Sequence, residues 1–198
     1  MRNAVCFLAD GFEEIEALTV VDYLRRGGVE VFTVAVPAKT MNDPYIVTSS
    51  HDVPVIADLK FEEFLEDFKD ERPDLVFVPG GMPGSSNCAQ CEELLDFVKK
   101  CFEEGKHVAA LCAAPAVVLS KTEILKEKNW TCYPGMEENV DPDDVEDSTH
   151  CENIPFVTDG TVTTGRGPGT AEEFAMELVR ILCGEDVKEK IKAGSCQR

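Results

Sequence analysis

The chain has 198 residues and a formal charge of -19, from 19 lysines and arginines against 38 acids, which disfavours a nucleic-acid partner because phosphate binding needs a basic surplus. Its length predicts a single domain over residues 1–198, able to bury roughly 70% of its unfolded surface without disulfide staples. Nine cysteines (an odd number), an N-terminus MRNAVCFLADGFEE without an apolar leader, and apolar runs shorter than the ~18 residues of a membrane span predict a soluble, reduced, cytoplasmic protein with no membrane partner.

Residues 4–9 (AVCFLA) form an apolar run of the kind seen in a strand buried on both faces. The following EEIEALTVVDYLRRGG places Ile15, Leu18, Val21 and Leu24 at helical spacing, with acids in the first turn, arginines in the last and Gly27-Gly28 as a stop. VEVFTVAV (29–36) predicts a second strand, and in the less regular stretch 37–59 the segment DVPVIAD suits an edge strand because of Pro54. After a short helical piece, LVFVPGG (75–81) predicts a third strand, CEELLDFVKKCFEEG a helix closed by Gly105, and HVAALC a fourth strand. APAVVLSKTEIL predicts a helix with Pro115 in its first turn. IPFVTDGTVTTG predicts a hairpin turning on Asp159-Gly160. TAEEFAMELVRILCG predicts a helix with Thr170 as N-cap and Glu173 at capping-box spacing. Strands alternating with helices predict an α/β fold, a mostly parallel sheet with helices on both faces.

In such sheets a ligand sits beyond the carboxyl ends of the strands. The strand ends carry ADGFEEIE, PGGMPGS and Cys112, so three loops are expected to meet. Cys112 falls at a strand-to-helix turn between the small Ala110, Ala113 and Ala114. There the first amides of the next helix favour thiolate over thiol. A buried structural cysteine is the alternative; the strand-end position before a proline-containing helix start favours function. Gly80 and Gly81 suit either an oxyanion-binding backbone or an ordinary left-handed turn. GRGPGT (165–170) lacks phosphate-loop spacing, and CAQC (88–91) has no second pair at zinc-finger distance. The loop 135–153, with eight acids, lacks calcium-loop spacing and reads as a solvated, partly mobile surface segment. No metal and no cofactor are expected.

LADGFEEIEALTVVDYLRRGGVEV, LVFVPGGMPG, AALCAAPAVVL and GRGPGTAEEFA, in this order and spacing, resemble the ThiJ/PfpI family, in particular its parkinsonism-associated deglycase branch. The resemblance runs from Ala4 to about Lys192. It implies a flavodoxin-like three-layer sandwich, a homodimer, Cys112 as the reactive cysteine and Glu16 as the glutamate that hydrogen-bonds it. Gly80, Gly81 and the amide of Ala113 then correspond to the family's anion-binding backbone. The implied activities are a glyoxalase on small aldehydes, a deglycase on glycated substrates, or an oxidative-stress sensor whose cysteine becomes a sulfinate. Two positions depart from the branch: Tyr133 stands where a histidine is usual, and His51 where an arginine neighbours the dimer contact. Tyr133 and Arg166 are expected as neighbours of the site.

The chemistry open to these residues is addition of a Cys112 thiolate to the aldehyde of methylglyoxal. The oxyanion of the hemithioacetal is expected against the Gly80 and Gly81 amides. Glu16, its pKa raised by burial, is expected to shuttle the proton between the two carbons and then to activate water, giving lactate. A redox sensor without turnover is the main alternative. A nucleotide-binding module using GRGPGT ranks third.

Overall fold

The computed structural model describes residues 2–37 and 43–197. In chain order its elements are β1 (Asn3–Leu8), α1 (Glu14–Arg26), β2 (Glu30–Ala35), β3 (Ile46–Thr48), β4 (Pro54–Ile56), β5 (Leu59–Lys60), α2 (Phe61–Asp67), β6 (Leu75–Val78), α3 (Gly84–Cys88) and α4 (Glu92–Glu103). There follow β7 (His107–Leu111), α5 (Ala114–Val117), β8 (Asn129–Trp130), β9 (Thr149–His150), β10 (Phe156–Asp159), β11 (Val162–Gly165), α6 (Ala171–Cys183) and α7 (Glu185–Gly194). The main sheet runs β10-β11-β7-β6-β1-β2-β5 and is parallel except at its antiparallel β10–β11 edge.

Alternation along β1 divides the core in two, since successive side chains leave opposite faces of a strand. Val5 and Phe7 join a layer with Phe61 and Phe64 of α2 and Phe97 of α4, while Ala4, Cys6 and Leu8 join one with Ala17 and Val20 of α1 and Phe174 of α6. In the first layer the Phe64 ring meets Phe97 at 4.6 Å and Phe7 at 5.1 Å between centroids. Such aromatic pairs add about 0.5–1.5 kcal/mol each beyond their buried area. The result is the three-layer α/β sandwich expected from the sequence. No helix among the described residues is long and apolar enough to cross a membrane.

Several details differ from expectation. In α1 the buried face is Glu16, Ala17, Val20, Val21 and Leu24, while Ile15 and Leu18 are 55% and 39% exposed. A row spaced by three drifts round a helix of 3.6 residues per turn, and Ile15 ends on the side opposite Leu24. The helix expected from Ala114 stops at Val117 and continues as a 3-10 turn, Leu119–Thr122. There the hydroxyls of Ser120 and Thr122 donate back to the carbonyls of Ala116 and Leu119, a local pairing that competes with the helix. Residues 38–42 lie outside the described residues. Pro54 pairs opposite Thr48 in a separate two-stranded ribbon, β3–β4, and so is not at an edge of the main sheet. The Thr170 capping box is absent, because its hydroxyl donates to the Gly167 carbonyl at 2.9 Å. The hairpin β10–β11 forms, with Gly160 (φ +63) and Thr161 between the paired Asp159 and Val162. The acidic loop contains two 3-10 turns, Glu137–Asn139 and Pro142–Val145, and the strand β9, which pairs with β8.

Candidate active site

Three strand ends meet as the topology requires, because β1, β6 and β7 lie side by side in the sheet. The loop after β1 and the loop after β6 pass so closely that a Cβ on Gly81 (φ +90) would lie 2.5 Å from the Gly11 carbonyl oxygen and the Glu13 amide nitrogen. Only glycine fits that approach in a left-handed conformation. Glu13 is the N-cap of α1: its Oε2 accepts the Glu16 amide at 2.8 Å, and its own amide donates to the Gly80 carbonyl at 3.0 Å. This pins the first turn of α1 to the end of β6.

Glu16 is completely buried. Its Oε2 accepts the Gly80 amide at 2.8 Å, the Cys112 side chain lies beside the carboxyl, and Oε1 has no hydrogen-bond partner. Gly80 touches both groups, since a Cβ there would fall 2.6 Å from Cys112 Cβ and 2.7 Å from Glu16 Oε2. Cys112 is a left-handed residue (φ +62) at the end of β7, a conformation that costs about 1–3 kcal/mol and persists only where neighbours enforce it. Here the Cys112 amide donates to the Gly165 carbonyl at 2.9 Å, and its carbonyl accepts the Tyr133 amide at 2.8 Å. The elbow is therefore locked from both sides, with the sulfur facing Glu16.

Burial pushes the Glu16 carboxyl up to about 7, against the opposing pull of the Gly80 amide and the Cys112 thiol. Burial, then the neighbouring Glu16 charge, push the Cys112 thiol up, while the amides of Gly81 and Ala113 draw it down. This corrects the expectation of a standing thiolate produced by a helix start: α5 has only four residues, too few for a sizeable dipole. The two groups act as a coupled pair that carries one charge above neutrality. The thiolate arises when Glu16 holds the proton.

The other expected residues divide between the elbow and its surroundings. The Gly80 amide is committed to Glu16, so of the expected anion-binding backbone only the amides of Gly81 and Ala113 reach the sulfur. Tyr133, half exposed, bonds the elbow through its amide, and its ring lies over Gly167. Arg166 donates to Asn153 Oδ1 at 3.1 Å and lines a neighbouring cavity with Cys132 and His150. His51 pairs with Glu14 at 2.9 Å on the surface. His107, pushed down to about 4 by burial, sits against Thr163 Oγ1 at 2.8 Å. Glu13 was not anticipated as the cap; an acid directly before a helix was the signal for it.

Residues 2–181 match the DJ-1/PfpI family. The chain belongs to that family. It is 33% identical over 193 residues to Protein dj-1beta of Drosophila melanogaster, covering 98% of this chain and 96% of that one. The crystal structure of Drosophila melanogaster DJ-1beta superposes with a TM-score of 0.87 over all of this chain and 98% of that one, at 30% identity. A Toxoplasma gondii DJ-1 described as oxidized gives a TM-score of 0.83 at 31% identity, covering all of this chain and 99% of that one. The chain is 28% identical over 184 residues to the Glutathione-independent glyoxalase DJR-1.2 of Caenorhabditis elegans, covering 93% and 90% of the two chains. It spans only 38% of Protein DJ-1 homolog B of Arabidopsis thaliana, to which it is 36% identical over 179 residues, 90% of this chain. The mostly parallel, helix-covered sheet of this DJ-1/PfpI chain is the flavodoxin-like α/β fold of those structures.

Proposed function

We propose that this DJ-1/PfpI chain is a cysteine-dependent glyoxalase or protein deglycase that acts on small aldehydes or glycated groups without glutathione. The observation that carries the reading is the contact of a buried, near-neutral carboxyl with a cysteine on a strained elbow. The name of the Caenorhabditis elegans relative supports it. The Cys112 proton moves to Glu16, and the sulfur adds to the aldehyde carbon of methylglyoxal, where the C–S bond forms and the carbonyl π pair goes to oxygen. The oxyanion takes the proton from Glu16, with the Gly81 and Ala113 amides beside it in place of Gly80. The Glu16 carboxylate then removes the proton from the former aldehyde carbon and returns it to the neighbouring carbon, while the hydroxyl proton passes from the first oxygen to the second, leaving a lactoyl thioester. Water, deprotonated by Glu16, cleaves the thioester to lactate and restores the thiol. Cys112→Ala abolishes lactate formation from methylglyoxal on this reading; unchanged turnover would overturn it.

A redox-sensing role on the same sulfur is supported by the relative solved in an oxidized form. It expects mild peroxide to add two oxygens at Cys112 first, and peptide mapping that finds the exposed Cys196 or the buried Cys88 oxidised earlier counts against it. The reading includes a homodimer in the cytoplasm. Exposed Ile15, Leu18 and Val53 lie on α1 and on the β3–β4 ribbon, joined by the Glu14–His51 pair, and an exposed apolar group of this kind suits a self-contact. Light scattering at the dimer mass for the native chain and at half that mass for Leu18→Glu is the expected result; a monomer in both refutes it.

A further inference from the structure

We propose that Cys132, Glu137 and His150 form a site for one divalent cation of the zinc class, with a fourth position open to water. The linear spacing, C-x4-E-x12-H, matches no zinc signature; the fold brings the three together. Strands β8 and β9 pair in register with Trp130 opposite His150, which sets Cys132, two residues on, beside the imidazole. The Trp130 ring lies 4.9 Å from that imidazole between centroids and limits its rotation. Glu137 arrives through a tight turn in which the Met136 amide donates to the Tyr133 carbonyl at 3.1 Å.

The distances favour a coordination sphere over a hydrogen-bond network. Cys132 Sγ stands 3.7 Å from Glu137 Oε2 and 3.7 Å from His150 Nε2, and all three atoms lie within 4.8 Å of one another. A tetrahedral zinc with a Zn–S bond of about 2.3 Å and Zn–N of about 2.0 Å has an S···N edge of about 3.5 Å. The thiol carries one hydrogen, yet it faces two acceptors, Glu137 Oε2 and the Tyr133 carbonyl at 3.4 Å, besides an imidazole nitrogen whose role follows its tautomer. One proton serves one of them, whereas a cation satisfies sulfur, nitrogen and carboxylate together. Thiolate, imidazole and carboxylate are the donor set of zinc.

The surroundings suit a cation. A cavity of about 140 Å3 opens beside the three side chains, room for an ion and several waters at about 30 Å3 each. Glu152 adds a second carboxylate to its wall, and the single base there, Arg166, is tied to Asn153. The loop that supplies Glu137 and His150 carries eight acids between residues 135 and 153. Cysteine binds a metal as thiolate, so uptake expels its proton and the affinity should rise with pH near neutrality. The other cluster of this type among the described residues, Glu13, Glu14 and His51, is already occupied by the N-cap bond and the His51–Glu14 pair.

Titration of the reduced chain with Co2+ tests the site. The expected result is a thiolate-to-cobalt charge-transfer band with tetrahedral d–d bands saturating at one equivalent and bleached by Zn2+. Cys132→Ser removes the charge-transfer band, and His150→Gln and Glu137→Gln, on half-exposed side chains, weaken binding at least about tenfold. Cys112→Ser and the double variant Cys88→Ser, Cys91→Ser keep the band, and Zn2+ raises the Tm of the native chain but not of Cys132→Ser. Absence of a thiolate band, its survival in Cys132→Ser, or its loss in Cys112→Ser overturns the proposal.

Discussion

Replacing Glu16 by Gln tests the coupled proton directly. Burial raises this carboxyl from 4.5 to about 7, so the folded chain binds more protons than the unfolded one between those pH values. Its stability therefore falls as pH rises, by about 1.4 kcal/mol per pH unit within the window and nowhere outside it, at most about 3 kcal/mol in all. The sign holds whether carboxylate or thiolate bears the charge, because the pair is ionised once in either case. Glutamine keeps an acceptor for the Gly80 amide and removes the ionisation. The variant should gain about 2 kcal/mol on the native chain between pH 5.5 and pH 8, while methylglyoxal turnover falls about 10²–10⁴-fold. Urea unfolding of both proteins at the two pH values measures this. The lower value stays clear of the pI near 4.4, where a chain without net charge associates. Any constant effect of the substitution cancels between the two conditions. A stability difference that stays within about 0.5 kcal/mol over this interval refutes the shifted carboxyl.

The same pair predicts that kcat/KM for methylglyoxal climbs through about pH 7 as the pair loses its first proton; a profile flat from pH 6 to 8 contradicts it. Gly80→Ala, whose Cβ would lie 2.6 Å from Cys112 Cβ and 2.9 Å from the Leu111 carbonyl oxygen, should destabilise by roughly 1–3 kcal/mol and abolish turnover. Gly169→Ala, which meets nothing within 4 Å, should stay within about 0.5 kcal/mol of the native chain in the same melts. Phe64→Ala, in contact with Phe7, Phe61, Phe68 and Phe97, should cost about 3–5 kcal/mol in urea unfolding without changing the pH profile of the surviving fold.

The central sheet was legible because strands covered on both faces must be apolar throughout. AVCFLA covers all of β1 but its first residue, Asn3, and VEVFTVAV, LVFVPGG and HVAALC contain β2, β6 and β7. Elements of two or three residues such as β5, β8 and β9 carry no period and were not visible. The capping-box pattern at Thr170 matched its template, yet the hydroxyl found a nearer acceptor in the Gly167 carbonyl. The face of α1 was misjudged because its deepest residue is a glutamate, and burial of a carboxyl follows from partners in other strands that no local pattern contains. The pairing of Glu16 with Cys112 came from family resemblance, while the commitment of Gly80 to Glu16 depends on which way one amide points.

On the proposed mechanism, the burial of Glu16 also accounts for an elbow with Tyr133 where the family resemblance leads one to expect a histidine. A histidine is the ordinary proton carrier near neutrality, but the three present are placed elsewhere: His51 on Glu14, His107 on Thr163 and His150 beside Cys132. Burial moves Glu16 to the range an imidazole would occupy, and a carboxyl there has an advantage beside a thiol. When protonated it is neutral, so a thiolate forms next to it without a second charge, whereas a histidine that has taken the proton becomes a cation. In a chain of charge -19, a cation is readily balanced on the surface, but beside the completely buried Glu16 a neutral acid next to a single thiolate leaves one charge to solvate in place of two. The two amides that reach the sulfur, Gly81 and Ala113, are then directed at that one charge, so that the same donors can follow it from sulfur to the oxyanion as the C–S bond forms.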